Sequence, residues 1–368
     1  MRFYKIITSI VILLLMSSIK AQTTKQQTPK APFNYSIKEV TYQNFKADSI
    51  TLSGTLTIPK DVKNPAVAIL INGSGAHDRD CDILGHKPFW VIADHLTNNG
   101  IAVLRFDERG TAKSEGDFSQ ATTYDLASDV EAGIDFLKTR TDINTSKIGL
   151  IGHSEGGLIA PIVASTNNDV AFIIMLAGPG VKGQEVLQSQ SKKIAKLQGV
   201  TQEGIDFNYQ LTTVAYNALY SENNTEKQKE VIETKLKAFK TKLEEEKSPF
   251  AMYVNDYMIN QLVSQLTNPW MQAFIKSDPK PYLEKTKCPV LVLNGTKDVQ
   301  ILPEINLPEI KKHLNTAKNK DVTIKELKDL NHLFQTAKTG SISEYSTIKE
   351  TFSTTALKTM SDWINNRF

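Results

Sequence analysis

Residues 148–164 read IGLIGHSEGGLIAPIVA, and the change of pattern inside this stretch decides the architecture. Ile148–Ile151 is a short apolar run, as in a strand covered on both faces. The residues from Leu158 to Ala164 read as a helix. Between them lies Gly152-His153-Ser154-Glu155-Gly156, which sets a serine on a strand-to-helix turn with a glycine two residues away on either side. Side chains at those two positions would collide with so sharp a turn, which is why the spacing recurs. Alone, such a match arises by chance in on the order of one chain in ten at this length, so the flanking strand and helix give it its weight. The plain alternative is a Gly-rich turn with a capping serine.

Working outward, further short apolar runs predict covered strands at Ala66–Ile71, Ile101–Phe106, Val170–Ala177 and Pro289–Leu293, with a last strand near Val322–Leu327. Ser36–Tyr42 and Ile50–Ile58 alternate apolar and polar residues, as antiparallel edge strands do. Helix-period segments at Phe89–Asn98, Thr123–Thr139 and about Thr351 to Asn366 complete an alternating α/β pattern. Such alternation implies a mostly parallel central sheet with helices on both faces. One stretch, about Lys182 to Lys280, breaks the rhythm: it is helix-like throughout, from the charged EKQKEVIETKLKAFKTKLEEEK to the aromatic MYVNDYM and NPWMQAF. A helical insertion between two core strands is the economical reading, since a structureless loop of that length is improbable.

A serine hydroxyl is a poor nucleophile near neutral pH unless a base takes its proton, and the base needs a partner to fix its tautomer. On a turn of this type the acid and then the base follow the serine along the chain. After PVLVL comes Asn294-Gly295-Thr296-Lys297-Asp298, which puts an aspartate past the carboxyl end of a central strand, where ligand-facing loops lie. Only His313 and His332 follow Ser154. His313 reads as a surface residue of the helix-like PEIKKHLNTA, leaving His332 as base. Asp329, close to His332 in sequence, is the rival to Asp298 for the acid. The developing oxyanion needs backbone N–H donors. Glu155 would supply one, and the Gly-rich loop Asn72–Asp80 the other, from Ser74 or, next, Gly75. An ordinary tight turn is the bland reading of that loop.

Other residues carry weaker signals. His77, His86 and His95 show no metal-box spacing, so no metal is expected. His153 sits at a variable position of the turn and reads as packing. Asp107, Glu108 and Arg109 in RFDERG follow a core strand and read as ion pairs holding neighbouring loops, with a substrate contact from Arg109 the minority reading. The 43 basic and 40 acidic residues, net +3, are spread without a basic stripe, which argues against a nucleic-acid partner. Two cysteines, Cys81 and Cys288, exclude a disulfide framework and leave a single bridge open.

The first residues, MRFYKIITSIVILLLMSSIKAQ, place Arg2 and Lys5 before an apolar run from Ile6 to Met16 and then small and polar residues to Ala21. That is the layout of a secretory signal peptide, too short to span a bilayer as a stable anchor. Residues 1–21 are read as this signal and 22–35 as a loose polar segment. The expectation is an exported protein, periplasmic or extracellular, with roughly 345 residues remaining, enough for one large α/β domain with an insertion.

Taken together, the serine turn, the NGSG loop, RFDERG, GTKD and NHLF resemble the α/β-hydrolase superfamily. The phrases NGSGAHDRD, GHKPF, RFDERGTAKSEGDF and IGHSEGGLIAP look, more narrowly, like bacterial carboxylesterases related to serine aminopeptidase and prolyl oligopeptidase catalytic domains. The resemblance covers about residue 36 to the end. It implies the α/β-hydrolase fold, core segments 36–181 and 281–368, the Ser154–Asp298–His332 triad, no cofactor, and hydrolysis of short to medium acyl esters as small-molecule substrates. Cys81 and the charged part of the insertion are less typical of it. An aminopeptidase or amidase is the nearest rival, and a catalytically idle binding protein of the same fold belongs to a different class. Residues 182–280 are expected to form a helical cap roofing the site. Its apolar and aromatic residues, Phe250, Met252, Tyr253, Tyr257, Met258, Trp270 and Phe274, would face the pocket or the core, and Tyr257 and Trp270 would touch substrate.

Overall fold

The structure is a computed structural model and describes residues 27–368. Residues 1–21, read above as a signal, and the first part of the segment read as loose lie outside the described residues. Eight strands form one sheet: β1 Tyr35–Asn44, β2 Ile50–Pro59, β3 Val67–Ile71, β4 Ala102–Phe106, β5 Ile148–His153, β6 Val170–Leu176, β7 Val290–Gly295 and β8 Val322–Leu327. Their order is β1-β2-β4-β3-β5-β6-β7-β8. The first two strands are antiparallel to their neighbours, and the remaining six run parallel. The alternating β1 took the edge and the continuous apolar runs took the middle, but the alternating β2 is paired on both sides and buried along most of its length.

Helices α1 Pro88–Asn98, α2 Thr123–Lys138 and α3 Gly156–Ala164 follow β3, β4 and β5. The helices after the insertion are α9 Lys280–Leu283, α10 Pro303–Thr316 and α11 Thr354–Asn365. Helices α1 and α11 pack together on one face of the sheet, while α2, α3, α9 and α10 make the layer on the other. Helix α2 begins with a capping box, in which the Thr122 hydroxyl takes the Asp125 N–H and the Asp125 carboxylate takes the Thr122 N–H.

By backbone contacts the described residues divide into two compact units, Lys182–Asp278 and the sheet-bearing remainder. The first unit holds α4 Gly183–Leu197, α5 Gln202–Ser221, α6 Thr225–Glu245, α7 Asp256–Leu266 and α8 Pro269–Lys276. It has its own core, including Phe207, Leu219, Ile232, Leu236, Ile259 and Leu262. Phe250 stacks on Phe207 at 4.6 Å, and Trp270 on Phe274 at 5.5 Å against this same core. Tyr257 and Met252 depart from expectation: each is 74% exposed and faces water. The apolar stripe of α7 is Met258, Ile259, Leu262, Val263 and Leu266, and Tyr257 stands off that stripe in the first turn.

The loop after β4 is held by ion pairs at Asp107 and Arg109, as the RFDERG reading anticipates, whereas Glu108 pairs with no cation among the described residues. Arg109 donates from Nε to Asp129 Oδ2 at 2.8 Å and from its second terminal nitrogen to Asp129 Oδ1 at 2.9 Å and to the Asp125 carbonyl at 2.7 Å. Asn44, at the end of β1, donates to the same Asp129 at 2.7 Å. One buried carboxylate therefore ties β1, α2 and the loop after β4. Burial raises the Asp129 carboxyl above its usual range despite the guanidinium beside it. Arg109→Met should strand that carboxylate and destabilise the fold by about 3–5 kcal/mol near neutral pH. Because a raised folded pKa favours the protonated form, the loss should shrink as the pH is lowered, which urea denaturation at several pH values measures.

Candidate active site

In a parallel sheet the carboxyl ends of the strands share one edge, and Ser154, Asp298, His332 and the Gly-rich and RFDERG loops all leave that edge. Ser154 follows β5, Asn72–Asp80 follows β3, Asp107–Arg109 follows β4, Asp298 follows β7 and His332 follows β8. Ser154 has φ = 54°, the left-handed region that a serine occupies only when its surroundings force it. The force is local packing. A Cβ at position 152 would lie 1.9 Å from the Gly156 carbonyl oxygen, and one at position 156 would lie 2.3 Å from that of Ile71. The chain can therefore turn from β5 into α3 only with glycine at both places. Ser154 is left half-buried between buried neighbours.

Strands β5 and β7 are separated by β6, so an acid after β7 stands about two strand spacings, roughly 10 Å, from the serine. It can act only through an intermediary. His332 Nδ1 and Asp298 Oδ2 are 2.8 Å apart, with both side chains buried. A carboxylate only accepts, so Nδ1 carries the proton it donates, and in the neutral ring the acceptor nitrogen is Nε2. Asp298 Oδ1 accepts the N–H groups of Gln300 and Ile301 at 2.8 and 2.9 Å, which fixes the carboxylate plane. The rival acid Asp329 is half-buried and pairs instead with Lys297 at 3.0 Å. The loops of Asp298 and His332 are stitched together by the Lys297 N–H on the Leu330 carbonyl, 3.0 Å. Ser154 Oγ and His332 form no hydrogen bond among the described residues; such contacts are often long before substrate binds.

The Gly-rich loop lies against the serine: a Cβ on Gly73 would sit 3.1 Å from the Ser154 Cβ. His77 Nε2 bonds the Ser74 carbonyl at 3.1 Å, which fixes the peptide whose other end is the Gly75 N–H. Among the described residues nothing accepts the Ser74 N–H. Buried acids anchor the loop from behind. Glu108 accepts the His77 N–H at 2.8 Å, and Asp107 accepts the Arg79 backbone N–H at 2.9 Å and its guanidinium at 2.6 Å. Arg105 pairs with Asp80. Glu155 is buried and accepts the Thr123 hydroxyl at 2.6 Å, a contact with no sequence signal because Thr123 and Glu155 meet only through the packing of α2 beside α3.

His313 is a correction. It is buried on α10, with Nδ1 3.2 Å from Glu284, because α9 packs over that face of the helix. Its Nε2 lies 3.6 Å from Glu309 on the same helix. Among the described residues no group of three His, Cys, Asp or Glu side chains is placed to hold a metal ion, and no helix is long and apolar enough to cross a membrane. Cys81 and Cys288 are free thiols, and burial pushes Cys81 well above the usual thiol range and Cys288 to about 12.

A family model described as serine aminopeptidase, S33, matches residues 88–336, more than half of the chain. The chain belongs to this family of α/β-hydrolases. Esterase EstD of Thermotoga maritima is 30% identical over 158 residues, 42% of this chain and 38% of that protein. An uncharacterized protein, YfhR, of Escherichia coli O157:H7 is 33% identical over 112 residues, 30% of this chain and 36% of that protein. The chain thus matches less than half the length of these relatives. Among solved structures, Pyrococcus furiosus esterase Pf2001 aligns with a TM-score of 0.53 at 15% identity, covering 90% of this chain and 91% of that one. The hypothetical protein PA2218 of Pseudomonas aeruginosa has the same TM-score and identity, covering 95% and 98%. At that identity these last two speak for the fold.

The Glu108 carboxyl gives this family member a testable acid signature. Burial pushes it well above the usual carboxyl range, with Glu155 and Asp129 adding to the effect and the His77 N–H opposing it. A carboxyl whose folded pKa is raised contributes its stability fully below the unfolded value and loses it as pH rises through the folded one. Glu108→Gln keeps an acceptor for His77 and cannot ionise. Its urea midpoint is expected to match wild type near about pH 4 and to exceed it by a growing margin toward about pH 8.

Proposed function

We propose that this S33-family chain is a serine esterase acting on small acyl esters, with Ser154 as nucleophile, His332 as base and Asp298 as the acid that orients it. The observation that carries the reading is the buried Asp298–His332 hydrogen bond, 2.8 Å, at the edge where the strained Ser154 turn emerges. The EstD likeness supports the ester class.

In this mechanism Ser154 Oγ attacks the ester carbonyl carbon while His332 Nε2 takes the hydroxyl proton. Negative charge collects on the carbonyl oxygen, facing the N–H groups of Glu155 and of Ser74 or Gly75, and such preorganised donors are often the largest single contribution. The tetrahedral centre collapses to an acyl-serine as the imidazolium hands its proton to the departing alkoxide. Water then enters, His332 takes its proton, and the acid is released with Ser154 restored. Asp298 keeps the imidazole in the required tautomer throughout. No step calls on a cofactor or metal.

Around the Gly-rich loop Asp107 is engaged with Arg79, Asp80 with Arg105 and Lys87, and Glu108 with the His77 N–H. Asp78, in contrast, pairs with no cation among the described residues and is the carboxylate there that a substrate ammonium could meet. Action after export is part of this proposal, and its support is the layout of residues 1–21.

The decisive assay sets p-nitrophenyl esters beside aminoacyl anilides. Ester turnover with negligible anilide turnover is expected, and the reverse ranking would overturn the ester reading. A fluorophosphonate should label wild type at Ser154 and leave Ser154→Ala unlabelled. Ser154→Ala, His332→Ala and Asp298→Asn should each lose about 10⁴-fold or more in kcat, and Ser154→Ala with His332→Ala should be little worse than either alone, since the groups act as a unit. Greater damage from Asp329→Asn than from Asp298→Asn would reassign the acid.

A further inference from the structure

Position 153 is the last residue of β5, immediately before the strained serine, and its side chain is buried at the carboxyl edge of the sheet. His153 Nε2 lies 2.8 Å from the main-chain carbonyl oxygen of His332, 179 residues away in the chain. The His153 and His332 rings are 4.8 Å apart, tilted by 47°, and Phe334 meets His153 edge-on at 6.4 Å. On its other side the residue borders the Gly-rich loop. A Cβ on Gly73 would come within 3.3 Å of the His153 carbonyl oxygen and 3.5 Å of its Nδ1. One imidazole therefore touches the nucleophile turn, the base loop and the oxyanion loop together.

We propose that His153 is a positioning residue for the hydrolytic reaction, registering the His332 loop against the Ser154 turn through its Nε2–H on the His332 carbonyl. The inference rests on the reading of Ser154 and His332 given above. A carbonyl only accepts, so the proton is on Nε2 and Nδ1 is bare. The titratable groups facing this ring are His332, from the loop after β8, and His77, from the loop after β3. Burial first, and then these two neighbours, lower His153 to about 3, while its bond to the His332 carbonyl works the other way. The ring thus stays neutral at working pH. That neutrality has a use: His332 becomes an imidazolium in the transition state, and a second positive charge 4.8 Å away would oppose it. A hydrogen bond to the main chain, in contrast to a packed aromatic ring, also fixes where the His332 loop stands along the sheet edge, and misplacement by about 1 Å can cost on the order of 100-fold in rate.

The test compares His153→Phe, which keeps a ring and loses the donor, with His153→Gln, which keeps an N–H at similar reach. Steady-state kinetics on a p-nitrophenyl ester, the pH profile of kcat/KM and the rate of fluorophosphonate labelling are measured for each, beside the melting temperature. His153→Phe is expected to lower kcat about 10- to 100-fold with KM within about twofold, slow labelling in proportion, and leave the acid midpoint of the profile in place. His153→Gln should recover most of the lost kcat. Unchanged kcat in folded His153→Phe, or a His153→Gln as slow as His153→Phe, overturns the proposal. If His153→Phe does not fold, nitrogen-15 spectra of wild-type histidines decide: one ring must remain a neutral Nε2–H tautomer down to about pH 5 and be absent from His153→Gln. A His153 that titrates in the ordinary histidine range, or carries its proton on Nδ1, counts against it. Should wild type prove active yet unlabelled at Ser154, the functional reading itself fails, a result separate from any behaviour of His153.

Discussion

The rest of the site depends on the close approach of backbone to backbone where β5 turns into α3. With Gly156 pressed against the ends of β3 and β5, there is room for no Cβ at 152 or 156. The residue between them that points outward is driven to φ = 54°. Strain at one serine is stabilised by the packing of two central strands and a helix, and it delivers what an isolated serine lacks: a hydroxyl raised above a buried sheet edge beside the start of a helix. From that fixed point the other distances follow. The β3 loop borders the serine because β3 pairs with β5, and Asp298 stands two strands away because β6 intervenes.

Around this point buried polar groups are arranged in pairs that fix loops, and burial sets their charge states. Asp107 and Arg79, Asp129 and Arg109, and Asp80 and Arg105 are charged pairs behind the Gly-rich loop. Glu108 takes a different course: without a cation it is pushed toward its neutral form and holds His77 by an ordinary hydrogen bond. His153, also buried, is pushed toward neutrality from the other direction. Such groups cost stability when isolated and repay it only where partners are complete. Their concentration behind the loop that faces Ser154 is what a site needing fixed backbone N–H groups requires.

Much of this was legible in the chain because local rules and tertiary demands agree. Continuous apolar runs mark strands covered on both faces, alternation marks the edge at β1, and G-x-S-x-G flanked by a strand and a helix can turn in essentially one way. Ser154, Asp298 and His332 stand out since each follows a strand or precedes a helix at the expected order. Where a side chain's environment depends on a distant element, the reading fell short. His313 has a surface-like helical neighbourhood, yet α9 covers it and Glu284 meets it. Tyr257 and Met252 look like lining residues by composition, but the helical phase of α7 turns Tyr257 to water and Met252 is equally exposed.

By itself, then, the sequence determined the parallel α/β core, the strained serine and the short set of residues eligible to assist it, since periodicity and steric exclusion at a tight turn are local properties. Tertiary structure alone decided which of Asp298 and Asp329 meets His332: the pairing of β7 with β8 brings one carboxylate to His332 Nδ1, while the other pairs with Lys297. It alone placed His153 on the His332 carbonyl and Glu108 on the His77 N–H. Hydrogen bonds and pKa shifts between residues tens to hundreds of positions apart exist only once strand order has fixed which loops are neighbours, and no pattern within a single segment encodes that distance.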